Sequence, residues 1–263
     1  MSEKKLFRSK KLETKVQLIA YRSGEMTLHG FLYAPREKGR FPTVVYNHGS
    51  NRSPGEASDL AEFYSSNGFA FFFPHRHGHG KSPGAYISDL GAEAERRSGG
   101  DIKLYWEQMV KLHELYNEDV VAAVSWLRDQ NFVDESRIIM SGVSYGGIQT
   151  LLTAEKGPGI RSFIPFAPAA MTWANTELQK RLVEAVRRAE RPIFLIQAQN
   201  DFNLGPSQTL GVELERKGPP NQAKVYPPFG NSNQEGHGMF ATIKSGIEIW
   251  GTDVLAFIHR TLQ

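Results

Sequence analysis

A chain of 263 residues that is 40% hydrophobic can bury a sizeable core and build one large α/β domain, read here as spanning 1–263. Its net charge of +3 and pI near 9.0 come with no basic stripe interleaved with aromatics, which argues against a nucleic-acid partner. No run of roughly 18 apolar residues offers a membrane span, and zero cysteines exclude disulfides, thiolate zinc sites and a cysteine nucleophile. The charged start, Met1 to Lys10, lacks an apolar signal core, so a cytoplasmic location is expected.

In chain order, 15–21 and 26–33 read as two strands joined by the turn residues Ser23 and Gly24, an antiparallel hairpin at a sheet edge. The segment 41–47 is apolar on both faces and reads as a central strand. A helix over 56–67, stopped by Gly68, leads to a buried strand at 69–74. The long connection 82–118 has a break at Ser98-Gly99-Gly100 and a helix over 101–117. A separate helix over 118–129 then precedes a strand at 137–141. A helix over 145–155 follows. Strands at 162–166, 192–197 and 223–226 are separated by helices at 176–190 and 207–217, and a last helix covers 240–262. Strands alternating with helices predict a mostly parallel sheet of about eight strands with helices on both faces. The segments 83–117 and 167–191 are longer than the sheet needs and are candidates for a small lid or pocket walls.

Between the strand at 137–141 and the helix at 145–155 lies Gly142-Val143-Ser144-Tyr145-Gly146. It fits the G-x-S-x-G pattern of a nucleophile elbow, in which a serine sits on a sharp strand-to-helix turn. The chemistry needs a hydroxyl held out at the sheet edge, and the flanking glycines let two backbones approach closely. Ser144 is therefore the candidate nucleophile.

The elbow, its buried strand and the strand–helix alternation resemble the α/β-hydrolase fold over nearly the whole chain. Within that fold, the edge hairpin, the His48-Gly49-Ser50 loop and the run His75-Arg76-His77-Gly78-His79-Gly80-Lys81-Ser82 look like the dienelactone-hydrolase-like group and the catalytic domains of prolyl-oligopeptidase-type peptidases. The resemblance implies an oxyanion hole from two backbone N–H groups, that of Tyr145 and one just after Gly49, with Ser50 preferred over Asn51. It also implies the chain order serine, acid, histidine. Asp201 follows the strand at 192–197, and His237 sits in a glycine-flanked loop after the last strand. Asp119 and Asp134 precede the serine and break that order, and His259 lies inside the final helix beside Arg260. Two departures matter. Dienelactone hydrolases proper use a cysteine, which this chain lacks, and His77 stands where the R-G-x-G-x-S loop carries its first glycine.

His48 is expected to hold its loop. His75, His77 and His79 alternate and would share one face of an extended segment, but the glycines among them favour a structural loop lining the pocket, so no metal is expected. Met171, Trp173 and Phe202 are candidate apolar pocket lining. Arg181, Arg187 and Arg188 are expected on a solvated helix face. The function these residues suggest is a serine carboxylesterase for small or medium esters, needing no cofactor. The alternatives are a peptidase or amidase with the same triad, or a ligand binder that keeps the fold. The small-molecule ester is the expected partner, and nothing in the sequence determines oligomeric state.

Overall fold

On the second strand Leu28, Gly30, Leu32 and Ala34 turn inward while the residues between them do not, the period of two that a half-covered strand needs. The computed structural model describes residues 11–263, so the charged start at 1–10 lies outside the described residues. In it β1 (Thr14–Ser23) and β2 (Met26–Pro35) form an antiparallel hairpin with Ser23 opposite Met26, and β1 is a sheet edge as expected.

Six further strands complete one eight-stranded sheet: β3 (Phe41–Asn47), β4 (Ala70–His75), β5 (Val133–Val143), β6 (Ser162–Phe166), β7 (Phe194–Ala198) and β8 (Gln222–Tyr226). The order is β1-β2-β4-β3-β5-β6-β7-β8, antiparallel through β1, β2 and β4 and parallel from β4 onward. The central strands are apolar on both faces because both faces are covered. Val45, Phe72 and Met140 pack with α3 (Ile102–Arg128), α4 (Tyr145–Lys156), α5 (Thr176–Arg188) and α6 (Gly205–Lys217). Val44, Tyr46, Phe71 and Ile139 pack on the other face with α1 (Ser58–Ser66) and α8 (Lys244–Leu262).

The structure corrects two helix boundaries. The helices expected at 101–117 and 118–129 are one continuous α3, because nothing between Asn117 and Glu118 breaks it. Asn117 spends its amide on Gln149 and Thr153 of α4 instead of on its own backbone. Asp101 caps its start by accepting from the Leu104 N–H at 3.0 Å. The helix expected at 240–262 is interrupted: a π-helical turn, Glu235–Met239, runs into a short α7 (Phe240–Thr242), and extended Ile243 (φ −99°, ψ 157°) separates these from α8. The Asp59 carboxylate of α1 accepts from the Lys244 N–H at 2.9 Å and caps that new start. The connection after β4 also contains α2 (Ile87–Ser98), whose end at Gly99 (φ 60°) is the glycine break read from the sequence.

The chain leaves β3 towards β4 on one side, and after β5 it proceeds towards β6 on the other. β3 and β5 are neighbours, so their loops diverge at the carboxyl edge of the sheet and leave a crevice there, where open α/β sheets bind ligands.

Candidate active site

Ser144 stands at that crevice, between β5 and α4, with φ 58° and ψ −116°. That is a strained backbone for a residue with a side chain, and it persists only because its surroundings hold it. Its N–H donates to Phe166 O at 2.9 Å and its carbonyl accepts from Ile148 N at 3.0 Å. The elbow glycines are required by contact: a Cβ on Gly146 would lie 2.0 Å from Asn47 O, and one on Gly142 would lie 2.6 Å from Gly146 O. Tyr145 opens α4, so its N–H is a first-turn donor with no acceptor inside the helix.

Across the crevice the loop after β3 comes close enough that a Cβ on Gly49 would sit 3.8 Å from the Ser144 Cβ. That loop is tied from behind. The buried Arg76 guanidinium donates through Nη2 to His48 O at 2.7 Å and Gly49 O at 3.0 Å, and its Cζ lies 4.3 Å above the Tyr145 ring. Burial, reinforced by the Arg76 charge, pushes the His48 imidazole well below the usual histidine value, so it is neutral. Its Nδ1–H then donates to Gly49 O (2.7 Å), and its Nε2 accepts from the Arg76 N–H (3.3 Å). The Tyr86 hydroxyl donates to Ser50 O at 2.5 Å, and Arg52 pairs with Asp89 at 2.7 Å.

Asp201 and His237 meet. His237 Nδ1 lies 2.7 Å from Asp201 Oδ1, with both side chains buried. Asp201 Oδ1 also accepts from the Phe202 N–H at 2.6 Å, while Oδ2 accepts from Gln197 Nε2 at 2.9 Å. With Nδ1 facing a carboxylate, the imidazole presents Nε2 for proton transfer, and Nε2 is buried without a partner. His237 rides on the π-helical turn, a distortion frequent at functional sites. Asn200 joins the two loops: its amide donates to Phe229 O (2.9 Å) and Ser232 O (3.0 Å), and its carbonyl accepts from the Phe229 N–H (2.8 Å).

Ser144 and His237 line one cavity of about 410 Å³, together with Tyr46, Ser50, Leu60, Phe73, Met239 and Ile243. Its walls come from the loop after β3, α1 and the turn after β8. Neither 83–117 nor 167–191 contributes a residue to this lining. The second forms α5, whose Leu178, Leu182, Ala185 and Val186 are buried against the sheet-covering layer. Trp173 is a core residue; a Cβ on Gly205 would lie 2.2 Å from its ring. Met171 is exposed. Of the three expected lining residues only Phe202 reaches the site, edge-on to the His237 ring at 5.4 Å.

The histidine run does not line the cavity but packs behind the loop after β3. His75 Nε2 meets Gly55 O (3.0 Å), and His79 Nδ1 meets His77 O (2.9 Å). His77 Nδ1 meets Asp119 at 2.5 Å, a carboxylate brought in by the fold from α3. Arg187 and Arg188 lie on a solvated helix face as expected, where they pair with Glu213 (2.9 Å) and Glu155 (3.0 Å), whereas Arg181 is more covered and pairs with Glu114 (2.6 Å) and Glu155. Gln197, Asn200, Arg76 and Tyr86 were not singled out from the sequence. The first two carried a signal: polar residues at the carboxyl end of a buried strand, within four positions of Asp201.

The prolyl oligopeptidase family (peptidase S9) matches residues 92–160. A polyketide transferase, grgF, of a Penicillium species is 24% identical over 213 residues, which is 76% of this chain and 64% of that protein's length. YtmA of Bacillus subtilis (strain 168), an uncharacterised peptidase, is 23% identical over 256 residues, covering 86% of this chain and 90% of its own. Among solved structures, the Pyrococcus furiosus esterase Pf2001 superposes with a TM-score of 0.67 at 17% identity, over 95% of this chain and 94% of that one.

Proposed function

We propose that this chain, an α/β-hydrolase similar to the dienelactone-hydrolase-like and prolyl-oligopeptidase-like serine hydrolases, is a carboxylesterase that cleaves small to medium esters through an acyl-enzyme on Ser144. The observation that carries the reading is that a strained serine and an acid-paired histidine, its Nε2 without a partner, line one cavity. His237 Nε2 takes the Ser144 proton as Oγ attacks the ester carbonyl carbon. Asp201 holds the tautomer and offsets the imidazolium charge. The carbonyl oxygen, now an oxyanion, sits between the Tyr145 and Ser50 N–H groups. His237 then gives the proton to the departing alkoxide, and water repeats the attack on the acyl-enzyme.

Nucleophile, base and oxyanion donors are all side chains and amides of this chain, so the reading calls for no cofactor. The cavity falls within the usual range for small-molecule sites, about 300–1,000 Å³. It has apolar walls at Leu60, Phe73, Met239 and Ile243, no lysine or arginine in its lining, and one carboxylate at Asp59. That chemistry favours an uncharged ester. A peptidase is the second reading, favoured by the family match over 92–160 and by the peptidase YtmA.

The test is labelling with a fluorophosphonate, which needs an activated serine. Wild type is expected to label and Ser144→Ala not to, with ester turnover falling roughly 10⁴-fold. Wild-type turnover in the variant would sink the mechanism. Matched p-nitrophenyl ester and p-nitroanilide substrates separate esterase from peptidase.

A further inference from the structure

Arg76 is a buried cation whose side-chain hydrogen bonds go to two backbone carbonyls, with no carboxylate among them. Burying such a charge is expensive, and it is retained where it performs a task. Two of its contacts identify the task. The Gly49 carbonyl belongs to the same peptide unit as the Ser50 N–H. That unit is trans and planar, so its C=O and N–H point in opposite directions. Two donors hold the oxygen, Arg76 Nη2 at 3.0 Å and His48 Nδ1 at 2.7 Å, and this fixes where the N–H points. Among the described residues the Ser50 N–H meets no protein acceptor. The same guanidinium lies over the Tyr145 ring and so braces the residue carrying the other oxyanion donor. On the far side of Ser50, Tyr86 grips the next carbonyl at 2.5 Å.

We propose that Arg76 is a positioning residue for the oxyanion hole: with Tyr86 it clamps the loop that carries the Ser50 N–H and polarises that amide through the Gly49 carbonyl. The proposal rests on the serine hydrolase reading above. A charge-assisted bond drawing on the carbonyl oxygen of an amide makes its N–H a stronger donor. The benefit appears when the substrate oxygen becomes an anion, so it acts on kcat and not on ground-state binding. Both carbonyls are held by one nitrogen, Nη2; a lysine keeps the charge but lacks the planar guanidinium that carries this nitrogen while lying over the Tyr145 ring, so it does not reproduce both contacts at once.

The test compares wild type, Arg76→Lys and Tyr86→Phe. The readouts are kcat and KM on a p-nitrophenyl ester, and inhibition by a trifluoromethyl ketone, which forms an oxyanion on the serine, against the matching secondary alcohol, which does not. For Arg76→Lys, kcat is expected to fall about 10- to 100-fold, with ketone affinity falling alongside, while KM and alcohol affinity stay within about two-fold. Tyr86→Phe, at a more exposed position, is expected to show the same split at roughly five-fold. An Arg76→Lys chain that does not fold leaves the decision to Tyr86→Phe. Unchanged kcat and ketone affinity in a folded variant overturn the proposal, and so does a loss confined to KM. Fluorophosphonate labelling of wild type separates the two levels: a wild type that does not label removes the enzyme reading itself, whereas a labelled wild type with indifferent variants removes only the clamp.

Discussion

Acid should unfold this protein through the histidines buried around Arg76 and Tyr145, and His113 gives the cleanest measure. His113 sits on α3, buried, with its ring 5.1 Å from that of Tyr145 and its Nδ1 without a partner. Burial first, and the Arg76 charge second, lower its pKa from 6.5 to about 4. The folded state therefore keeps the ring neutral where the unfolded chain takes up a proton. This contribution to stability is present in full above the unfolded value and is lost as pH falls from about 6.5 towards about 4. Integrated from pH 7 to pH 5, the proton uptake of the unfolded chain at this one site amounts to about 2 kcal/mol, while the folded state gains almost nothing. Urea unfolding of wild type and His113→Leu at both pH values measures it. In this double difference the cost of the substitution itself cancels. Wild type should lose about 2 kcal/mol more than the variant between pH 7 and pH 5. Equal losses would show that His113 titrates normally when folded and refute the assignment. His75, held down to about 4, and His79, held down to about 3, act with the same sign, so stability should fall steeply on the acid side.

Other predictions follow from single contacts. Gly146→Ala, whose Cβ would meet the Asn47 carbonyl oxygen at 2.0 Å, should cost about 3 kcal/mol or more in urea unfolding. Gly157→Ala, with φ 56° but nothing within 4 Å, should cost only about 1–2 kcal/mol. Gln197→Leu removes the donor to Asp201 Oδ2 and should lower kcat about 10-fold; a folded variant at wild-type rate would show that His237 and the Phe202 N–H suffice to orient the acid. A p-nitrophenyl hemisuccinate should be a poorer substrate than the butyrate by about 10-fold in kcat/KM, because the cavity offers a carboxylate and no cation to an anionic acyl chain. Equal rates would place the acyl group elsewhere.

The linear chain already contained the fold class and the three candidate catalytic residues. Period-two patterning marked the edge hairpin, doubly apolar runs marked the central strands, and the sharp turn at Ser144 was visible because glycines are needed wherever two backbones touch. Chain order singled out Asp201 and His237, and the fold brings them to 2.7 Å of each other. These features are local, or depend only on order, and so they survive in one dimension. Three-dimensional packing alone decided the pocket. Trp173 and Met171 were chosen as apolar residues in a long connection, but one is core and the other faces solvent, and the cavity is walled by Leu60, Phe73, Met239 and Ile243 from three distant segments. The interruption at Ile243 was hidden for the same reason: the cap on α8 is Asp59, far away in the chain. The carbonyl contacts of Arg76 and the meeting of His77 with Asp119 likewise join segments whose proximity exists only once the sheet has ordered β3, β4 and β5 side by side. Periodicity tells a residue which way to face; only the packed sheet and helices determine what it faces.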